Sequence, residues 1–387
     1  MAWNIGANDT ANSMSSAVGA RALTLKQAVL IDGFFNLVGA IFVGSHVTNT
    51  VRKGIADPYM MGDPQVVMLG FFAVILGASI WVFVATWREL PVSTTHSVVG
   101  AVIGIGLLLG GVSAIKWGKL IGIVASWIIS PAFSGLIAFI VMRIINRAIL
   151  RKENSIIFAK KYSPYFLGVT FFIITASFLL KTPLGKELNI SFGGAILIAI
   201  GIGSLIGYIG YHFVILRMKI DNAEQIFKVL QIITSIYIGF SVGANDVANA
   251  MGPVAAVRDI ALTGKISAKV TVPVYILAFG GIGILVGTLT WGYKIIKTVG
   301  FKLTELTNTR GFAIDFGAAT AVLLASKLGL PVSTTHSVVG AVVGVGLARG
   351  IEALDLSVIK RITLYWVLTV PFAALTAILI FSVIRVF

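Results

Sequence analysis

The chain contains no cysteine. Disulfides, thiol catalysis and cysteine-ligated zinc are therefore excluded. Charge is also scarce: 12% of the 387 residues are charged, where a soluble domain carries about 25%. Acids are scarcest, with 15 Asp and Glu against 30 Lys and Arg, a formal net charge of +15. There is no Walker loop, no nucleophile–base triad and no metal-ligand spacing, which speaks against a primary pump and against an enzyme. A basic–aromatic patch is missing, and so is any soluble module that could hold nucleic acid, so no nucleic-acid partner is expected. The basic residues lie mainly between apolar segments, where anionic lipid headgroups and the positive-inside rule account for them. No cleavable signal peptide is evident.

What remains is apolar. Hydrophobic residues make up 57% of the chain and the mean hydropathy is +0.97. Many runs approach the roughly 20 residues that cross a bilayer as helix. About twelve such segments are expected, at 1–20, 25–45, 66–87, 91–112, 117–142, 165–181, 191–216, 226–252, 267–291, 312–328, 331–350 and 361–385. They are too long and too uniformly apolar for a membrane β-barrel. The 42 glycines suit close helix packing or broken helices. The fold class expected is an all-α polytopic membrane protein in the plasma (inner) membrane. Residues 143–164 hold Arg143, Arg147, Arg151, Lys152, Lys160 and Lys161 against Glu153 alone, and read as a cytoplasmic loop. Alternation from that loop puts 217–228 and 294–310 inside as well. It puts 181–189 and both termini outside.

Two motifs occur twice. Residues 91–102 and 331–342 both read PVSTTHSVVGAV, 240 positions apart; GANDTANSM at 6–14 returns as GANDVANAM at 243–251, 237 positions apart. The order is the same in both halves. Seven crossings separate the two GAND segments, an odd number, so the halves are expected to enter the membrane from opposite sides. Whether 66–87 and 91–112 are two spans or one re-entrant hairpin changes that count only by an even number. The chain thus divides into a first inverted repeat (1–142), the basic loop with connecting helices (143–225) and a second repeat (226–387). Inverted repeats are the basis of alternating access in secondary transporters. A full apolar run precedes Gly243 but only five residues precede Gly6, so either the first helix is a half-span or, as is favoured, an upstream stretch is expected before the first motif.

The repeated residues handle ions. Asn8, Asp9 and Asn12 in one half, and Asn245, Asp246 and Asn249 in the other, offer carboxylate and amide oxygens suited to Na⁺. Asn8 and Asn12 are one turn apart and so on one face, and the preceding Gly is expected to loosen the helix and free carbonyls. An acid inside a membrane requires a cation or a proton. The bland reading is that Asn and Asp merely glue helices together; recurrence of the whole cluster argues against it. PVSTTHS reads as a helix start: Pro fits the first turn, and Ser and Thr cap it. Such a start presents unpaired N–H groups to an anion. Ser93, Thr94 and Thr95, with Ser333, Thr334 and Thr335, would add hydroxyls around one tetrahedral oxyanion. Neither motif holds Lys or Arg, so the positive charge would come from mobile cations. His96 and His336 either carry a proton or orient the loop; Asp32, Asn36 and Asp315 are candidates for a further cation. His46 and His212 are assigned no role.

At these residues the chain resembles the inorganic phosphate transporter family, which includes the type III sodium–phosphate cotransporters. The resemblance spans nearly the whole chain. It implies an inverted-repeat membrane protein binding phosphate and sodium near the midplane, with Asp9 and Asp246 as essential acids and the Ser/Thr runs at phosphate-contacting hairpin tips. Sodium is then a co-transported ligand rather than a cofactor. The partners expected are phosphate, sodium and the bilayer, with a homodimer left open. A proton-coupled phosphate or sulfate permease on the same scaffold is the alternative, and an anion channel a more distant one.

Overall fold

The computed structural model describes residues 1–181, 190–267, 272–299, 306–350 and 356–386. Each expected segment is helical within them. In order, the helices are α1 (Ala2–Gly19), α2 (Leu25–Val43), the short α3 (Ser45–Lys53), α4 (Pro64–Trp87), α5 (Thr94–Gly110), α6 (Trp117–Ile145) and α7 (Ser155–Lys181). Then follow α8 (Phe192–Ile209), α9 (Ala223–Thr263), α10 (Val274–Val299), α11 (Asn308–Lys327), α12 (Thr334–Arg349) and α13 (Leu356–Ile384). The loop expected at 181–189, apart from Lys181 at the end of α7, and part of that at 294–310 lie outside the described residues.

Eight helices among the described residues are long and apolar enough to cross a membrane. The segments that fall short are α1, α5, α11 and α12, which carry the first GAND motif, the two PVSTTHS starts and Asp315. They fall short because they are polar or short, and they are mostly buried. The molecule is thus built with these helices and α9, which carries the second GAND motif, inside and the other apolar helices around them. Apolar side chains such as Ile128, Leu197, Phe279 and Leu379 are more than 60% exposed on the outer helices, as a surface facing lipid requires.

Two expectations change. The basic stretch 143–164 is not a loop. A π turn (Asn146–Leu150) continues α6, and α7 begins at Ser155, so only 151–154 lies outside a helix. An apolar-length criterion stops at the first charges, but Lys and Arg can sit on a helix that projects beyond the hydrocarbon. Nor does the backbone break at GAND. Gly6 lies inside α1, and Gly243 inside the unbroken 41 residues of α9. The Gly6 carbonyl is not freed either, since the hydroxyls of Thr10 and Thr288 both reach it.

Those glycines serve close approach instead. A Cβ on Gly6 would fall on the Ile284 carbonyl of α10, and one on Gly287 would fall on the Trp3 carbonyl of α1. The α2–α9 contact has the same form, with Gly39 against Phe240 and Gly243 against Asn36. Each half thus lends its GAND helix to a helix of the other half, backbone against backbone. Helices α12 and α13 pack likewise against α6 and α5, respectively.

Candidate functional site

The chain does break at PVSTTHS. Arg88 to Ser93 form an elbow between α4 and α5, and the matching elbow joins α11 to α12. Ser93 caps α5 by accepting the His96 N–H at 3.2 Å, and Ser333 caps α12 the same way at 3.2 Å. A capping hydroxyl still has its own proton to give. The N–H groups of the first turn remain without helical partners, so both starts are polarised toward whatever lies in front of them.

In front of them lie the GAND residues. Thr94 Oγ1 donates to Asp9 Oδ2 at 2.8 Å, and Thr334 Oγ1 to Asp246 Oδ2 at 3.1 Å. Asn12 Nδ2 donates to Asp9 Oδ1 at 3.0 Å, and Asn249 Nδ2 to Asp246 Oδ1 at 3.5 Å. Each Asn also crosses to the opposite hairpin. Asn12 reaches Thr334 (3.2 Å) and Thr335 (3.0 Å), and Asn249 reaches Thr95 (3.0 Å). The elbows themselves touch, Thr95 Oγ1 donating to the Val332 carbonyl at 2.9 Å. The residues singled out in the two motifs therefore form one cluster. Asp9, Asp246, Thr94, Thr95, Thr334 and Thr335 are each at most 4% exposed, so the cluster is sealed from every side.

Asn8 and Asn245 take a different part. Asn8 Nδ2 donates to Thr86 Oγ1 (3.0 Å) and the Leu90 carbonyl (3.1 Å), and its Oδ1 accepts Val92 N–H (3.3 Å). Asn245 Nδ2 donates to Ser326 Oγ (2.9 Å) and the Leu330 carbonyl (3.3 Å). Both amides pin their elbow to the GAND helix. The shared face expected for Asn8 and Asn12 thus serves two different hairpins. Thr86 and Ser326 are anchors outside both motifs, although they too stand 240 positions apart.

The remaining candidates lie around this cluster. Asp32 accepts from Ser13, and Asp315 from Ser16 and from Ser235 (3.0 Å), so both acids line the C-terminal part of α1, past Asn12. Asn36 Nδ2 donates to the Asp32 carbonyl at 2.9 Å. Asp32 Oδ2 and the side-chain oxygens of Asn36, Asn245 and Asn249 are buried acceptors without a donor. Unpaired oxygens of this kind suit a hard cation. His96 and His336 stack at 4.4 Å between ring centroids. His336 donates from Nδ1 to the Trp127 carbonyl at 3.3 Å, so its proton sits on Nδ1.

A doubled set of acids, amides and hydroxyls, without an arginine or lysine among the bonds that hold it, suits the release of an anion as well as its capture. Comparison with known proteins decides the family. The model of the phosphate transporter family matches residues 5–377. The chain belongs to that family. Its members are transporters, not enzymes, and this chain is an integral membrane protein. It is 50% identical to a protein of Pyrococcus horikoshii provisionally named a phosphate permease, covering 99% of this chain and 95% of that one. It is 37% identical to the chloroplastic inorganic phosphate transporter 2-1 of Arabidopsis thaliana, over 98% of this chain and 69% of that one. Among solved structures, one described as the sodium-dependent phosphate transporter superposes with a TM-score of 0.93 at 43% identity, covering 100% of this chain and 96% of that one.

Proposed function

We propose that this family member is a sodium-coupled symporter of inorganic phosphate that works by alternating access. Phosphate would sit between the two helix starts, held by their N–H groups and by the hydroxyls of Ser93, Thr94, Thr95, Ser333, Thr334 and Thr335. Sodium would sit between phosphate and Asp9 and Asp246, with oxygens from the motif asparagines. The observation that carries this reading is the current use of the donors. Thr94 and Thr334 spend their protons on the two carboxylates. Bound sodium would take over those carboxylates and release the hydroxyls to phosphate. Two carboxylates and a phosphate share a low-dielectric space only with cations between them, which makes the ion obligatory rather than helpful. The neighbour described as sodium-dependent supports the choice of ion.

The two halves would lie inverted in the bilayer. Elbows that enter from opposite faces meet only if each re-enters, so contact between Thr95 and Val332 favours hairpins over full spans. Purified protein in liposomes, given radiolabelled phosphate, is expected to take it up under an inward Na⁺ gradient. Equal uptake in choline buffer, driven by a proton gradient alone, assigns the coupling to protons. Uptake of sulfate in place of phosphate assigns the substrate to the alternative permease. Coupling also requires that phosphate affinity rise with Na⁺, and Na⁺ affinity with phosphate by the same factor; a phosphate affinity unchanged by Na⁺ overturns the mechanism.

A further inference from the structure

The two hairpins are alike in sequence but are not held alike. Pro131 lies inside α6 and has no N–H to give to the Trp127 carbonyl one turn back. His336 Nδ1 takes that carbonyl at 3.3 Å. The indole of Trp127 donates from Nε1 to the Pro331 carbonyl at 3.2 Å, beside the second helix start. Its ring also lies on His96, with centroids 3.6 Å apart. About two turns beyond Trp127 on α6, Ser134 Oγ donates to the Ser337 carbonyl. The second hairpin is thus stitched to α6 at three places.

The matching positions on α13, 240 residues later, cannot do the same. Trp127 is replaced by Val367 and Ser134 by Ala374, and neither side chain has a hydrogen-bond donor. Pro371 frees the Val367 carbonyl as Pro131 frees that of Trp127. Yet His96 Nδ1, whose counterpart would take it, is buried without a partner. The ring contact is kept, since Trp366 of α13 stacks on His336 with centroids 3.5 Å apart; it is the hydrogen bonds of the backing helix that the second copy lacks.

We infer that Trp127 is a positioning residue that latches the second hairpin to α6, so that the first hairpin moves first when the sealed cluster opens. This rests on the alternating-access reading, but its test needs no transport. The chain has no cysteine, so a single cysteine reports alone. Val92 and Val332 hold matching places at the two elbows and are each 1% exposed. Val92→Cys and Val332→Cys, each in purified protein in detergent without phosphate, are to be timed against a water-soluble maleimide.

The expected result is faster labelling at position 92 than at 332. Trp127→Phe keeps a ring on His96 and removes the indole N–H. It should speed labelling at 332 by roughly two- to tenfold, the worth of one hydrogen bond, and change 92 less. Equal labelling of the two elbows in the parent, or a Trp127→Phe effect absent or equal at both, overturns the inference. An equal effect is what lost packing alone would give. If Trp127→Phe does not fold, Pro131→Ala decides. It returns an N–H to the α6 ladder, which competes with His336 for the Trp127 carbonyl, and should also speed 332 selectively; no change there overturns the latch. Failure of sodium-driven uptake in the parent protein would count against the proposed function and leave these rates standing.

Discussion

Asp9 and Asp246 each hold two donors, an amide from three residues along the helix and a hydroxyl from the hairpin of the same half. Asn at either position keeps the shape and one oxygen acceptor but not the charge that a cation would balance. Asp9→Asn and Asp246→Asn should each reduce phosphate uptake in liposomes to background, with the unfolding temperature within a few degrees of the parent. Parental uptake in either variant would make the acids structural. Much of this cluster is readable in the sequence, because a repeat marks what both halves must share. Thr86 and Ser326 were within reach of the same reasoning, since hydroxyls recur there at the PVSTTHS spacing. Trp127 was not, because its counterpart is Val367 and a repeat says nothing about where its copies differ. The division of labour within each Ser-Thr-Thr run was also hidden: Ser caps, the first Thr serves the acid, and the second meets the other half. Only the fold decides which hydroxyl faces which partner.

Helices follow from the length and apolarity of their segments, so their existence and order were legible. Their ends were not. Nothing in hydropathy distinguishes a charged residue on a projecting helix from one in a loop, and so α7 starts ten residues before its expected place at 165. The role of the motif glycines was likewise invisible. Glycine permits both a break and a close crossing, and here it is the crossing that Gly6 and Gly243 provide. Gly287→Ala puts a methyl onto the Trp3 backbone, where no side chain can turn aside. It should destabilise the protein by about 1–3 kcal/mol, read as a lower unfolding temperature. Gly122→Ala, whose Cβ would meet nothing within 4 Å, should leave it unchanged or raise it slightly.

At the scale of the whole molecule, the inverted arrangement proposed above predicts opposite fates for the far ends of the two GAND helices. Arg21 follows α1, and Gly264 follows α9 in a left-handed conformation with φ 64°. In intact cells an impermeant thiol reagent should modify Gly264→Cys but reach Arg21→Cys only after permeabilisation. Modification of both from the same side would show the halves to be parallel. The backbone crossings then carry a consequence for how such a molecule wears its history. Where main chains touch, no rotamer can absorb a shift, so α1 with α10 and α2 with α9 are welded couples, each drawn from both halves of the sequence. A couple of that kind cannot be inherited from either half alone. The two halves thus form a single interlocked object, in which a bulkier residue at a crossing in one half has to be accommodated by the backbone of the other.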